Sequence, residues 1–293
     1  MRYRIRHVTE YRYPEQVNLC HNETRLTPRA TPRQQCVLAS LACEPGAAYR
    51  SDREDFFGNR VNFLTIDQPH TTLRVIAEST VEVMGDAGEL NLVRDTPWEE
   101  VRTRLDRETG EAVLDARPYR LESPRIPALP GLGAYAGPSF VPGRPLREAV
   151  ADLMARIHDD FEYDPGFTTV TTPLETVLEH RRGVCQDFAH LAIGCLRATG
   201  LAARYVSGYL ETRPAPGQEK LQGADASHAW FSVFDPDQGW LDFDPTNNLI
   251  PMERHITLAW GRDYTDVTPL KGVLFGGGDS HGLSVAVDVA LEG

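Results

Sequence analysis

Two cysteines lie ten residues apart in the segment RRGVCQDFAHLAIGCLRATG, which spans Arg181 to Gly200. Apolar residues recur there every three or four positions, which predicts one helix beginning near Val184 and ending at the glycine. Cys185 then lies at the helix N-terminus, where unpaired N–H groups and the helix dipole stabilise an anion and favour a reactive thiolate. Cys195 lies in mid-helix, a position typical of a cysteine that only packs in a core.

A histidine and a carboxylate follow in HAWFSVFDPDQGWLDFDPTNN, a pattern that predicts two strands joined by a tight turn. If Phe234 pairs with Gln238 across a three-residue loop, His228 lies directly opposite Asp244, with Cβ atoms about 5 Å apart. The carboxylate could then orient one imidazole nitrogen and leave the other to deprotonate a thiol. Together with Cys185, these residues have the types and order of a nucleophile, a general base and an orienting carboxylate.

Other interpretations of these residues stay open from spacing alone. The histidine and aspartate could form a surface pair beside an unrelated core cysteine, and Asp242 shares the same strand face. Asp187, in the first turn of the predicted helix, suits a capping role. His190 lies about 140° around the helix from the N-terminal cysteine, and His180 lacks an orienting carboxylate.

The surrounding pattern predicts an α+β protein in three parts. Residues 1–90 alternate apolar and polar positions, clearest in LRVIAESTVEV, and predict an N-terminal antiparallel β-sandwich. Residues 91–144 are rich in Pro and Gly and predict a connecting segment in which PYRLESPRIPALPGLGAYAGPSFVPGRP cannot sustain a helix. Residues 145–293 predict helices packed on an antiparallel sheet, with a capping box at Thr172 and Glu175 beginning the second helix.

Composition limits the partners. The 293 residues carry a formal net charge of −12, which argues against nucleic acid or an anionic membrane. No apolar run is long enough to span a bilayer, MRYRIRHVTEYRY does not resemble a signal peptide, and the five cysteines are an odd number. We therefore expect a cytoplasmic protein with reduced thiols, no cofactor and no metal site, acting on a peptide or protein amide.

Several blocks resemble the transglutaminase-like cysteine hydrolase superfamily, specifically its bacterial group with an extra N-terminal β domain. The blocks occur in the family's order and cover most of the chain: IRHVTEYRYPEQVNLCHNETRLTPR, FEYDPGFTTVTTPLE, GVCQDFAHLAIGCLRATGLAARYVSGYL, SHAWFSVF, GWLDFDPTNN and GRDYTDVTPLKGV. The resemblance implies a papain-like/transglutaminase-like core in which Cys185 is the nucleophile, His228 the general base and Asp244 the orienting carboxylate.

That resemblance implies attack of a thiolate on an amide and an acyl-thioester intermediate. Resolution by water makes the protein a cysteine peptidase or isopeptidase-like hydrolase, which we expect; resolution by an amine makes it a transamidase. A non-catalytic peptide-binding scaffold is the third alternative. The Cys185 backbone N–H is the expected first oxyanion donor, and Gln186 and Tyr163 are candidates for the second.

Overall fold

The computed structural model describes residues 1–85, 96–212 and 227–292. Its strands are β1 (Arg2–Thr24), β2 (Gln34–Glu44), β3 (Tyr49–Glu54), β4 (Arg60–Ile66), β5 (His70–Val83), β6 (Glu162–Tyr163), β7 (Arg182–Gly183), β8 (Ala203–Leu210), β9 (Ser227–Asp235), β10 (Gly239–Phe243), β11 (His255–Gly261), β12 (Leu270–Gly276) and β13 (Gly282–Glu292). Its α-helices are α1 (Trp98–Arg107), α2 (Glu111–Ala116), α3 (Pro130–Ala136), α4 (Leu146–Asp160), α5 (Leu174–His180), α6 (Cys185–Ala198) and α7 (Tyr264–Val267), with a 3-10 turn at Arg117–Arg120. No helix in the described ranges has the length and apolarity needed to cross a membrane. The α+β class predicted from the sequence is confirmed.

The five N-terminal strands belong to one curled antiparallel sheet of seven strands, with β1 at its centre. The first half of β1 lies between β5 and β13, and its second half lies between β4 and β12. The pairing of β1 with β5 is irregular between Arg12 and Val17, the stretch that contains Pro14, and such irregularities bend a strand. The alternating face predicted for β5 is buried: Leu73, Val75, Ala77, Val81 and Val83.

The C-terminal strands join this same sheet. The sequence pattern assigned residues 270–292 to the second unit, but β12 and β13 pair with β1 along much of its length. Alternation reports which face of a strand is buried and not which strand is its neighbour. The first sheet is therefore completed by both ends of the chain, and the strands predicted as a sandwich form a single curled sheet.

The connecting segment contains three helices where we predicted none, namely α1, α2 and α3, and the last lies within its stretch rich in Pro and Gly. Proline is tolerated at the first position of α3 because that N–H needs no helical partner. Leu132 and Ala136, four residues apart, are buried. The helix packs closely on α6, since a Cβ on Gly194 would lie 2.9 Å from Leu132 Cδ1.

The second sheet is antiparallel in the order β10-β9-β8-β11, with α6 packed against β8 and β9. The predicted α4, α5 and α6 are present within one or two residues. The expected capping box at α5 is absent, because Pro173 is the N-cap and Thr172 Oγ1 accepts a bond from the Thr169 N–H instead.

Two side-chain amides tie the first sheet to the edge strand β11. Gln34 donates to Thr257 O at 2.8 Å and accepts from Thr257 N at 2.8 Å. Asn59 makes the same two-way contact with Trp260, at 2.8 and 3.0 Å. The two amides take the place of a neighbouring strand, since they bond backbone N–H and C=O groups at the free edge of β11. They therefore hold the first sheet against the second.

Candidate active site

Cys185 is the first residue of α6, as predicted. Val184 is the extended N-cap residue, and its N–H donates to Asp187 Oδ2 at 2.9 Å. Thr168 Oγ1 donates to the same oxygen at 2.7 Å, and a Cβ on Gly183 would lie 2.8 Å from it, so the glycine makes room for this capping carboxylate. The predicted capping role of Asp187 is confirmed, and the N-terminal turn that carries the thiol is anchored.

The two cysteines of the helix differ in accessibility. Cys185 is half-buried and lines a cavity, whereas Cys195 is fully buried. Burial raises the pKa of Cys195 to about 12. Cys195 is therefore an inert core residue, and only Cys185 is exposed to a ligand.

The hairpin that carries the histidine and the carboxylate has a register shifted by two residues from the prediction. Phe234 pairs with Trp240, and Asp235 pairs with Gly239. Asp235 Oδ1 accepts bonds from the N–H groups of Asp237 and Gln238, and Gly239 has a φ of 77°, so the turn closes one residue later at each end than we expected. A shift of two preserves the strand face, so the relevant side chains still point the same way.

His228 and Asp244 are consequently diagonal neighbours that touch directly. His228 Nε2 lies 2.8 Å from Asp244 Oδ2. Cys185 and His228 line the same cavity, the thiol is among the groups that raise the pKa of the imidazole, and Nδ1 is the ring nitrogen that does not face Asp244. The structure thus brings together the three residues predicted as a nucleophile, a base and an orienting carboxylate.

The electrostatics favour a charged imidazole. Burial lowers the pKa of His228, but the hydrogen bonds to Asp244 and Cys185 outweigh burial and raise that pKa to about 10. Burial likewise raises the pKa of the Asp244 carboxyl, but bonds from His228 and His255 hold it well below its usual range. An imidazolium between a carboxylate and a thiol at a helix N-terminus is the arrangement in which cysteine thiolates form.

Two residues of this cluster escaped sequence reasoning. His255, at the start of β11, places Nε2 3.1 Å from Asp244 Oδ2, and Asn247 Nδ2 donates to the same oxygen at 2.7 Å. Asp244 Oδ1 accepts from the backbone N–H groups of Thr246 and Asn247 at 3.0 and 3.3 Å. The DPTNN motif hinted at this turn, because aspartate often accepts bonds from the N–H groups that follow it. Nothing local marked His255, which lies eleven residues away on another strand.

The same cluster has the composition of a metal site. Ligand atoms of His228, Asp244 and His255 lie within 4.8 Å of one another. However, the Asn247 amide directs an N–H at the shared oxygen, where a cation would be repelled. The contacts fit a hydrogen-bonded network around a buried carboxylate better than they fit a cation.

The cavity beside Cys185 has a volume of about 460 Å³. Of the two candidates for the second oxyanion donor, Gln186 lines this cavity, with its amide 3.5 Å from Val170 O, while Tyr163 is half-exposed and outside the lining. Tyr205 of β8 also lines it and was not considered from the sequence. Burial, then the nearby Cys185, raise the pKa of Tyr205 well above its usual value, so its phenol remains a donor.

The two other histidines considered from the sequence have structural contacts. His190 Nε2 accepts from Tyr264 N at 3.1 Å, and burial lowers the pKa of His190 to about 3. His180 contacts the Thr176 carbonyl on its own helix. Asp263 is buried and caps α7, while Tyr264 lines the cavity.

Two family descriptions match the chain. Residues 3–82 match the bacterial transglutaminase-like N-terminal region, and residues 138–245 match the transglutaminase-like superfamily. A protein-glutamine gamma-glutamyltransferase from Pseudomonas aeruginosa is 32% identical over 148 residues, which cover 45% of this chain and 22% of that protein.

Similarity extends over whole chains as well. An uncharacterized protein from Mycobacterium tuberculosis is 42% identical over 296 residues, covering 98% of this chain and 92% of the relative. The crystal structure of a candidate cysteine protease from Cytophaga hutchinsonii aligns with a TM-score of 0.74 and 22% identity over 99% of this chain and 90% of that one, which shows a shared fold. The resemblance inferred from the sequence is confirmed: the chain belongs to the transglutaminase-like superfamily, in its bacterial form with an N-terminal β region.

Proposed function

We propose that this protein is a thiol-dependent amide hydrolase that uses Cys185, His228 and Asp244 as a catalytic triad. The observation that carries the proposal is that Cys185 and His228 line one cavity while the His228 ring is hydrogen-bonded to the buried carboxylate of Asp244. The substrate is the amide of a peptide or protein. A scaffold that only binds peptides would not need all three reactive side chains. Here the three triad positions carry a thiol, an imidazole and a carboxylate, which argues against that alternative.

The proposed reaction has two steps. The Cys185 thiolate attacks the carbonyl carbon, and the His228 imidazolium gives its proton to the departing amine as the C–N bond breaks, leaving an acyl-thioester. His228 then takes a proton from water and the hydroxide attacks the thioester carbon. The C–S bond breaks, the carboxylic acid leaves, and the Cys185 thiolate and the His228 imidazolium are restored. The Cys185 N–H at the helix start and the Tyr205 hydroxyl are our candidates for binding the oxyanion, with Gln186 the remaining sequence-derived candidate.

Selective alkylation tests the activated thiol. Cys36 and Cys43 are half-buried like Cys185, and burial raises the pKa of both, so they are controls matched for exposure. We expect iodoacetamide at pH 7 to label Cys185 at least about tenfold faster than either control, and His228→Ala to remove most of that advantage. Peptide mass spectrometry after timed quenching gives the rates; equal labelling of the three thiols would contradict the proposal.

Transamidation is the second candidate, favoured by the similarity to the Pseudomonas aeruginosa gamma-glutamyltransferase. The acyl-thioester is common to both reactions, and only the acceptor differs. With a glutamine-containing casein substrate, we expect ammonia release that continues in the absence of added amine. Release that requires a primary amine such as putrescine, with the amine incorporated into casein, would assign the protein to the transamidases.

A further inference from the structure

One wall of the cavity beside Cys185 comes from the first sheet and not from the catalytic sheet. Strands β1 and β13 are paired there so that Tyr11 faces Leu283, Thr9 faces Val285 and His7 faces Val287. All six of these residues line the cavity. The N-terminal region and the last strand together therefore form a surface opposite the nucleophile.

The polar groups of this wall are engaged with the protein itself. His7 Nδ1 lies 2.9 Å from the Tyr209 hydroxyl and Nε2 lies 3.0 Å from Thr9 Oγ1. Burial lowers the pKa of His7 to about 4, so the ring is neutral near pH 7. Neither His7 nor Thr9 is left to recognise a charged ligand.

The remaining wall is apolar and partly open. Leu283 is 57% exposed and Val285 is 50% exposed, although both face the cavity beside the nucleophile. Among the cavity-lining residues in the described ranges, none is Asp, Glu, Lys or Arg. Apart from the catalytic pair Cys185 and His228, the described part of the lining carries no charge, and exposed aliphatic side chains beside a reactive group are typical of a pocket that a ligand covers.

From this surface we propose the substrate class: the β1–β13 wall binds an uncharged, apolar group adjacent to the scissile amide, such as a branched aliphatic or aromatic side chain. The inference rests on the proposed function, since Cys185 must be the atom that attacks. A cavity of about 460 Å³ accommodates such a group together with the amide. A charged group against this wall would lose its hydration without finding an oppositely charged partner among the residues that β1 and β13 contribute to it.

Three alkylating reagents with the same reactive carbon test this pocket. N-phenethyl-iodoacetamide carries an apolar tail, iodoacetamide carries none and iodoacetate carries a charge. Each labelling rate at Cys185 is divided by the rate with glutathione to correct for intrinsic reactivity. We expect the phenethyl reagent to be at least about tenfold faster than iodoacetamide, because burial of an aromatic group in an apolar pocket supplies that much binding. Iodoacetate also lacks a tail, and the His228 imidazolium attracts its carboxylate, so its rate reports that charge and not the apolar wall.

A pair of variants on one strand locates the effect. Val285→Asp places a charge on the wall at a half-exposed position, so the fold should tolerate it. Ser284→Asp is the matched control. Ser284 is the exposed neighbour of Val285 on the same strand, and its side chain points to the opposite face of the sheet. We expect Val285→Asp to reduce the phenethyl-to-iodoacetamide rate ratio to near one and Ser284→Asp to leave it unchanged.

The outcomes separate the two proposals. If iodoacetamide fails to distinguish Cys185 from Cys36 and Cys43, the proposed function fails. If Cys185 reacts selectively but the phenethyl reagent and iodoacetamide have equal normalised rates, the apolar pocket is wrong and the triad stands. A rate ratio that survives Val285→Asp would also overturn the assignment to β13.

Discussion

Replacement of Cys185 by alanine should abolish acyl transfer. With p-nitrophenyl acetate as the acyl donor, the unchanged protein should show a burst of nitrophenolate and one acetyl group on the peptide that contains residue 185. The variant should show neither, and its kcat/KM should fall at least about 10⁴-fold, since removal of a nucleophile leaves only binding and oxyanion stabilisation.

The matched control for this prediction is Cys195→Ala, which removes a thiol from the same helix. Cys195 is fully buried, and the substitution leaves a small cavity that costs stability without touching the cleft. We expect turnover within about twofold of the unchanged protein at temperatures where the variant is folded. An acetylated peptide in Cys185→Ala, or lost turnover in a folded Cys195→Ala, would contradict the assignment of the nucleophile.

Local features of the sequence predicted the helix that carries Cys185 accurately. Its stripe of apolar residues and the glycine at residue 200, with a φ of 84°, define α6 and place Cys185 at the first position. The sequence correctly placed His228 and Asp244 on the same face of the hairpin, although the predicted register was wrong by two residues. The error did not matter because strand faces alternate with a period of two residues. Successive side chains of a strand point to opposite faces, so the face of a residue depends only on whether an even or an odd number of positions separates it from a reference residue.

Features that depend on distant pairing were not predictable in the same way. The contact of His255 with Asp244 requires the order of strands in the second sheet, and the apolar wall requires β13 to return to β1. Turn geometry also misled us at Asp235, whose side chain closes a turn that spacing alone placed one residue earlier. The His255 contact and the apolar wall depend on tertiary contacts between segments that carry no local signal of their partners, whereas the turn at Asp235 is closed by local bonds to the next residues.

The buried carboxylate explains why so many donors converge at one point. Asp244 is fully buried, and an ionised carboxylate there is costly unless it accepts hydrogen bonds. His228, His255, Asn247 and two backbone N–H groups supply them. The extra donors hold Asp244 in its charged form, and that charge in turn holds the proton on His228.

Substitution of Asp244 by asparagine should therefore slow acylation and shift its pH dependence. The amide is nearly isosteric but neutral, so His228 loses its main charge partner while remaining buried. Its pKa should fall from about 10 to below about 8. Near pH 8 the ring would then lack the proton that the leaving group requires, and kcat/KM should fall by about 10³-fold to 10⁴-fold.

The free energy of unfolding should depend on pH through Asp244 and His228, in opposite directions. The pKa of Asp244 is depressed in the folded state, so its contribution is present above its unfolded pKa and is lost as the pH falls through the folded pKa. The raised pKa of His228 gives a contribution that is complete below its unfolded pKa and is lost as the pH rises through about 10. Urea unfolding of Asp244→Asn between pH 5 and pH 9 should show a lower and flatter stability profile than the unchanged protein.

Asp242→Asn is the control that separates this effect from a general loss of negative charge. Asp242 lies on the same strand, two residues from Asp244, but it accepts a hydrogen bond from Ser232 and faces Arg204 instead of the histidine. Its substitution should leave the alkaline limb of the pH–rate profile near pH 10. An Asp244→Asn variant whose alkaline limb also stays near pH 10 would show that another group keeps His228 protonated, and the triad would then lack its proposed carboxylate.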